Sequence, residues 1–335
     1  MKRIAVLDDY QGAVLSLPCW ARLAGRAAIE VYRDTPANEE TLVRRLRPYQ
    51  IIVPIRERTR FPAALLEQLP SLELLSLAGR NSGHVDVAAA TARGILVTET
   101  EGSGASAVEL TMGLILAVVR RIPQEDRAMR QGAWQTGLGT ELAGKTLGIV
   151  GLGRIGTRMA AFGRFLGMRV LAWGSSLTDE RAAAAGASRV SLDDLFRESD
   201  IVTVHLRLSE RTRGVITAQQ LSLMKPTSYF VNTARGALVD EVALIAALQE
   251  RRIAGAALDV YQVEPLPPEH PLRALDNVVL SPNMGHVTRE AYQLFFGQAV
   301  ENIESYLDGR VPPRALNPEV MANRITRLNS GAEER

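Results

Sequence analysis

Cysteine is nearly absent: the 335 residues contain one, Cys19. A single thiol excludes an intramolecular disulfide and gives no sign of export to an oxidising compartment. With no second thiol or histidine near it in sequence, Cys19 reads as a buried structural thiol, not a nucleophile. Histidine is scarce too, four in all, and no close pair of histidines or cysteines has the spacing of a metal site, so no metal is expected. An excess of either charge is also lacking. The 39 Lys and Arg against 37 Asp and Glu leave a formal net charge of +2, too near balance to argue for a nucleic-acid or membrane partner. Long apolar runs are missing as well. Ile4 to Leu7 is stopped by Asp8 and Asp9, too short for a signal-peptide core. Leu110 to Val119 is interrupted by Thr111 and Gly113 and followed by Arg120-Arg121, short of the roughly 20 residues of a membrane span. The expectation is a cytoplasmic globular protein of ordinary composition, long enough for two domains.

What is present is an alternation of short apolar runs with longer amphipathic ones, the pattern of parallel sheets covered by helices. Ile4–Leu7, Ile51–Ile55, Leu72–Leu77 and Ile95–Val97 read as strands of a first unit, with a helix at Thr41–Leu46. A second series follows: strands at Thr146–Val150, Val170–Trp173, Ile201–Val204, Tyr229–Val231, Ala256–Val260 and Val278–Leu280, with a helix from Gly156 to Leu166. A helix from about Ser106 to Arg121 precedes that series and another from about Glu290 to Leu307 follows it. Pro312 to Pro318 reads as a strand-like tail returning to the first unit, and Asn329 to Arg335 as a frayed end. The expected fold is α/β: two Rossmann-like, doubly wound parallel-sheet domains, the substrate domain discontinuous. The expected boundaries are 1–101 plus 292–335 for the substrate (catalytic) domain and 102–291 for the dinucleotide-binding domain.

Gly151-Leu152-Gly153-Arg154-Ile155-Gly156 is a G-x-G-x-x-G motif directly after an apolar strand and opening an apolar-periodic helix, the context such a motif requires. Gly151 permits the tight turn, Gly153 lets backbone approach a pyrophosphate, and Gly156 lets helix and strand pack closely. The helix N-terminus offers unpaired N–H groups to the phosphates. In such folds an acid about 20 residues on hydrogen-bonds the adenosine ribose. Here the strand ends Trp173-Gly174-Ser175-Ser176, and the nearest acids, Asp179 and Glu180, start a helix instead. Ser175 and Ser176 can donate to the ribose of either cofactor, and Arg154 can approach a phosphate. With no Arg or Lys directly after the strand, the reading is NAD, with NADP left open.

Three further segments sit at strand ends: Val231-Asn232-Thr233-Ala234-Arg235-Gly236, Leu258-Asp259-Val260-Tyr261-Gln262-Val263-Glu264-Pro265, and Asn277-Val278-Val279-Leu280-Ser281-Pro282. With the glycine motif, in this order and spacing, they resemble the D-isomer-specific 2-hydroxyacid dehydrogenases over essentially the whole chain. The resemblance implies hydride transfer between a nicotinamide and a small anionic 2-hydroxyacid or 2-oxoacid, in a cleft that closes over the cofactor. It also implies a homodimer formed through the dinucleotide domain, for which the Leu110–Val119 helix and the Trp134 segment are the candidate contacts. Arg235 matches the family arginine, whose planar fork suits an anion. Glu264 matches the carboxylate that orients a catalytic histidine and raises its pKa. Thr233 and Ala234 match residues beside the nicotinamide, Asp259 one that accepts from the carboxamide, and His205 a position near the cofactor, where it also reads as structural.

The sequence departs from the family where the catalytic histidine belongs, directly after Pro282: the residue there is Asn283. An amide is no general base at neutral pH. His286 follows three residues later, at a position where the family often carries an aromatic. Two readings stand side by side: His286 has taken over proton transfer, or His286 fills the pocket wall while Asn283 hydrogen-bonds substrate. Of the other histidines, His84 reads as packing before a helix capped by Asp86, and His270 as a turn residue. In the first unit, Arg56 and Arg58 follow one strand and Arg80, Asn81 and Ser82 the next. The resemblance places both loops at the substrate, and the arginines suggest a second anionic group such as a phosphate or phosphonate. Pairing of Arg56 or Arg58 with Glu57 or another acid is the plainer alternative. Oxidation of a hydrated anionic aldehyde, or a non-catalytic NAD(H)-binding regulatory protein on the same scaffold, are the competing functions.

Overall fold

The computed structural model describes residues 1–80 and 83–323. The chain divides into two compact units: Met1–Ser103 with Thr288–Arg335, and Gly104–Val287.

The first unit opens with β1 (Lys2–Leu7), β2 (Ala27–Val31), α1 (Glu39–Leu46), β3 (Ile51–Pro54), α2 (Ala63–Glu67), β4 (Leu74–Ser76), α3 (Val87–Ala92) and β5 (Leu96–Thr98). Its five strands lie parallel in the order β2-β1-β3-β4-β5. Among the central strands, β3 is apolar at every position because both faces of the sheet are covered; Ile51, Ile52 and Val53 are fully buried. Asn38 and Asp86 cap α1 and α3, accepting from the backbone N–H of Thr41 and Ala89. The tail pairs antiparallel to β5 at Thr98–Ala315, and the Asn317 side chain bonds both Val97 N–H and the Ile95 carbonyl. Cys19 is half-buried, not buried as expected, because it lies in a short 3-10 turn at the rim of this unit.

The second unit runs α4 (Ala105–Val119), α5 (Ile122–Arg130), β6 (Thr146–Val150), α6 (Arg154–Phe165), β7 (Arg169–Trp173), α7 (Asp179–Ala184), β8 (Ser188–Arg189), α8 (Leu192–Glu198), β9 (Ile201–Val204), α9 (Ala218–Ser222), β10 (Tyr229–Asn232), α10 (Glu241–Gln249), β11 (Gly255–Leu258) and β12 (Val278–Leu280). Its seven parallel strands are ordered β12-β11-β10-β9-β6-β7-β8, a doubly wound sheet whose order reverses between β6 and β9. The apolar residues of α4 turn inward: Val108, Leu114, Ile115, Val118 and Val119 join Leu147, Ile149 and Met159 in one core. Exposed apolar side chains lie on α5 and the segment after it, at Ile122, Met129, Trp134 and Leu138, and also at Leu116 of α4. The last helix, α11 (Arg289–Leu307), belongs to the first unit, where Ser76 Oγ donates to the Ala299 carbonyl and Phe296 packs on Trp20.

None of the described helices is long and apolar enough to cross a membrane. Several elements went unread in the sequence, among them two strands and α5. β2 and β8 are edge strands with half-exposed or exposed side chains, so they lack an apolar run, and α5 has no buried residue. The tail end Asn329 to Arg335 lies outside the described residues.

Candidate active site

The 151–156 loop joins β6 to α6, at the carboxyl edge of the strand where the second sheet reverses. Gly151 adopts φ +103°, a conformation open to glycine, and its backbone packs against His205 and Leu206. A side chain on Gly156 would collide with the Gly151 carbonyl, whereas one on Gly153 would meet no atom within 4 Å. The loop is therefore closed on its protein side and open at Gly153, the shape a pyrophosphate needs. Ile155 is half-buried and Arg154 exposed, with its guanidinium beside Gly104. Ser175 and Ser176 are exposed after β7, and Arg181 folds back from α7 to donate to the Ser176 carbonyl at 3.2 Å. His205 follows β9, with Nε2 2.9 Å from Thr203 Oγ1. Burial pushes its pKa down to about 3, so the ring is neutral at physiological pH.

Three loops at neighbouring strand ends hold the other candidates. After β10, Asn232 Oδ1 accepts from Ala234 N–H, its Nδ2 donates to the Arg235 carbonyl, and Arg235 Nη1 donates to the Ala234 carbonyl at 2.6 Å. This tight turn fixes Arg235, which is half-buried. Gly236 is packed so closely on the Tyr261–Gln262 backbone that no side chain fits. Thr233 Oγ1 lies 2.8 Å from Thr111 Oγ1 of α4.

Asp259 braces the third loop. Its Oδ1 accepts from the Ser281 hydroxyl at 2.5 Å and Met284 N–H at 2.7 Å, its Oδ2 from Gly285 N–H at 3.0 Å, and its backbone carbonyl from Asn283 N–H. Burial raises its pKa while these donors oppose the rise. The braced loop presents Asn283, in the left-handed region at φ +53°, and His286, which is buried. Glu264 Oε1 accepts from Tyr261 N–H, and its Oε2 accepts from Asn283 Nδ2 at 2.6 Å. Both oxygens are taken, neither by His286. Desolvation raises the Glu264 pKa, and Arg235 acts in the opposite direction.

In the first unit the three arginines differ. Arg80 is exposed and paired with Glu101. Arg56 lies 3.7 Å from Glu57, with its guanidinium 5.7 Å from the Phe295 ring centre. Arg58 donates to the Asp8 carbonyl at 2.6 Å and stacks 4.6 Å from the Tyr10 ring centre. Asn81 and Ser82 lie outside the described residues. His84 is buried, and His270 caps a 3-10 turn, 3.4 Å from Glu241. Among the described residues, no group of three or more His, Cys, Asp or Glu side chains is placed to hold a metal ion.

A family model described as D-isomer specific 2-hydroxyacid dehydrogenase, NAD binding domain, matches residues 112–285. Glyoxylate reductase from Aeropyrum pernix is 43% identical over 304 residues, covering 88% of this chain and 90% of that protein. The chain belongs to the D-isomer-specific 2-hydroxyacid dehydrogenases. D-3-phosphoglycerate dehydrogenase from Archaeoglobus fulgidus is 39% identical over 86% of this chain, and the match spans 55% of that longer protein. Among solved structures, phosphoglycerate oxidoreductase from Vibrio cholerae o395 superposes with a TM-score of 0.89 at 40% identity, over 92% of this chain and 99% of that one.

As a member of this family the protein is an NAD-dependent oxidoreductase of 2-hydroxyacids and 2-oxoacids, with a small-molecule substrate. Within the dehydrogenase, sequence reading missed Arg181 beside Ser176, because its approach depends on α7 turning back. It also missed the Asp259 brace. Its one signal was the spacing of Ser281, Met284 and Gly285 around a buried acid, and spacing does not say which way a carboxylate points.

Proposed function

We propose that this dehydrogenase interconverts a small 2-oxoacid and its 2-hydroxyacid, with Arg235 gripping the carboxylate and His286 exchanging the proton. Bound NAD(H) supplies or accepts the hydride. Gly151, Gly153, Arg154, Ile155 and Gly156 cradle its pyrophosphate, Ser175 and Ser176 meet the ribose, and His205, Thr233 and Ala234 border the nicotinamide side. The unit built from both chain ends carries substrate recognition. The protein works as a homodimer through its dinucleotide-binding unit, supported by the exposed apolar side chains on and after α5.

One observation carries the assignment of the proton: the 2.6 Å bond from Asn283 Nδ2 to Glu264 Oε2. The carboxylate that would orient a histidine is in place, but it holds an amide, which has no proton to exchange near neutral pH. His286 is the imidazole on the same braced loop. Asp259 is then a positioning residue that acts through the 281–286 backbone.

Steady-state turnover of glyoxylate with NADH tests this. His286→Gln is expected to lower kcat by roughly 10²–10⁴, and Asn283→His, which rebuilds a Glu–His pair, to restore most of the loss in the double variant. An undiminished kcat in His286→Gln removes His286 from the reaction.

A further inference from the structure

Cofactor choice in a doubly wound sheet is made at the end of the strand beside the glycine-rich loop. An acid there holds the adenosine ribose and turns a 2′-phosphate away. In this chain that strand is β7. Gly151 N–H donates to the Trp173 carbonyl at 2.7 Å, which sets the 174–176 segment next to the loop. The segment opens with Gly174, and neither backbone nor packing requires a glycine at that point. Its φ lies outside the left-handed region, and a side chain would meet only Leu177 Cβ, at an ordinary 3.5 Å. An acid would fit there, and the chain has none.

The segment offers donors instead. Leu177 N–H closes a turn onto the Gly174 carbonyl at 3.0 Å, and the buried Leu177 side chain anchors it. Ser175 and Ser176 are exposed on that turn. Arg181 is bound back toward it twice: its backbone N–H donates to the Thr178 hydroxyl at 3.3 Å and its Nη1 to the Ser176 carbonyl at 3.2 Å. The second bond uses one of the five N–H donors of the guanidinium, and Arg181 enters no ion pair among the described residues. The two acids that start α7 are committed elsewhere. Asp179 accepts from Arg189 Nε at 2.8 Å, and the Glu180 carboxylate is held by its own backbone N–H and the Thr178 hydroxyl. Two exposed hydroxyls beside a preset planar cation match the oxygens of a phosphate monoester.

We propose, on the cofactor placement given above, that this dehydrogenase takes NADP(H) as well as NAD(H), with Ser175, Ser176 and Arg181 meeting the 2′-phosphate and Arg181 deciding the specificity.

Fluorescence titration of the full-length protein with NADH and with NADPH, in the absence of substrate, gives the two dissociation constants and their ratio. NADPH is expected to bind within about tenfold of NADH, or more tightly. Arg181→Gln is expected to move the ratio against NADPH by roughly tenfold, and Arg181→Lys by less. Gly174→Asp installs the missing acid and is expected to move the ratio the same way by roughly 10- to 100-fold. NADPH weaker than NADH by more than about tenfold in the wild type overturns the proposal. So does a ratio that Arg181→Gln or a folded Gly174→Asp leaves unchanged. Should Gly174→Asp fail to fold, the wild type and the variants of the exposed Arg181 decide. A protein that binds neither nucleotide brings down the cofactor placement itself, a result distinct from binding NADH alone.

Discussion

Gly153 and Gly156 lie three residues apart in one loop, and the same substitution should act on them in different ways. A methyl at Gly153 projects into open space and its φ of −89° suits any residue. Gly153→Ala should therefore leave thermal stability nearly untouched while weakening NADH binding at least about tenfold, since the pyrophosphate needs that space. A methyl at Gly156 meets the Gly151 carbonyl, and Gly156→Ala should cost about 1–3 kcal/mol of stability in urea unfolding. Equal behaviour of the two variants would mean the loop is not shaped around a ligand. These glycines were readable because their geometry is dictated by adjacent backbone. Arg58 was readable as a charge but its surroundings were not: its holders Asp8, Tyr10 and Tyr292 lie about 50 positions before it or more than 230 after it. Likewise, the replacement of histidine by Asn283 stands out in the sequence, while its bond to Glu264 depends on how two loops meet.

Elements declare themselves in sequence when burial forces a pattern on them. β3, β6 and β9 are buried at every position and read as continuous apolar runs. β2, at an edge, alternates between half-exposed and exposed positions and left no such run. α4 was found, and Val108, Leu114, Ile115, Val118 and Val119 fill the core of its own unit while Leu116 stays exposed. The cap of α3, Asp86, was legible before its helix, whereas the cap of α11 was not. At α11, Thr288 Oγ1 accepts from Ala291 N–H at 3.1 Å. Thr288→Ala should cost about 1 kcal/mol, seen as a lower urea midpoint with an unchanged slope. No shift in the midpoint would mean this cap adds nothing to the 19-residue helix.

For the whole molecule, the two parallel sheets follow from the alternation of apolar and amphipathic segments, and the second sheet carries the strand order expected around a glycine-rich loop. Assembly is legible only from the surface. Trp134 is 73% exposed and Leu138 96%, with Ile122 and Met129 also open to solvent. Large apolar side chains left this open on one stretch of chain are the candidate protein contact. Light scattering coupled to gel filtration should give twice the 36.5 kDa chain mass, and Trp134→Ser with Leu138→Ser should shift the enzyme toward monomer. A wild-type mass of one chain would refute the dimer.

The first unit takes its last helix and its antiparallel tail from the far end of the chain, with Glu99 N–H bonded to the Arg314 carbonyl and Leu316 N–H to the Val97 carbonyl. A ribosome must pass through all of residues 104–287 before it reaches α11. The unit begun first is thus completed last. For nearly two hundred codons its sheet must wait, lacking the Phe296 and Ala299 face that covers it, and the later unit has its whole chain before the first unit does.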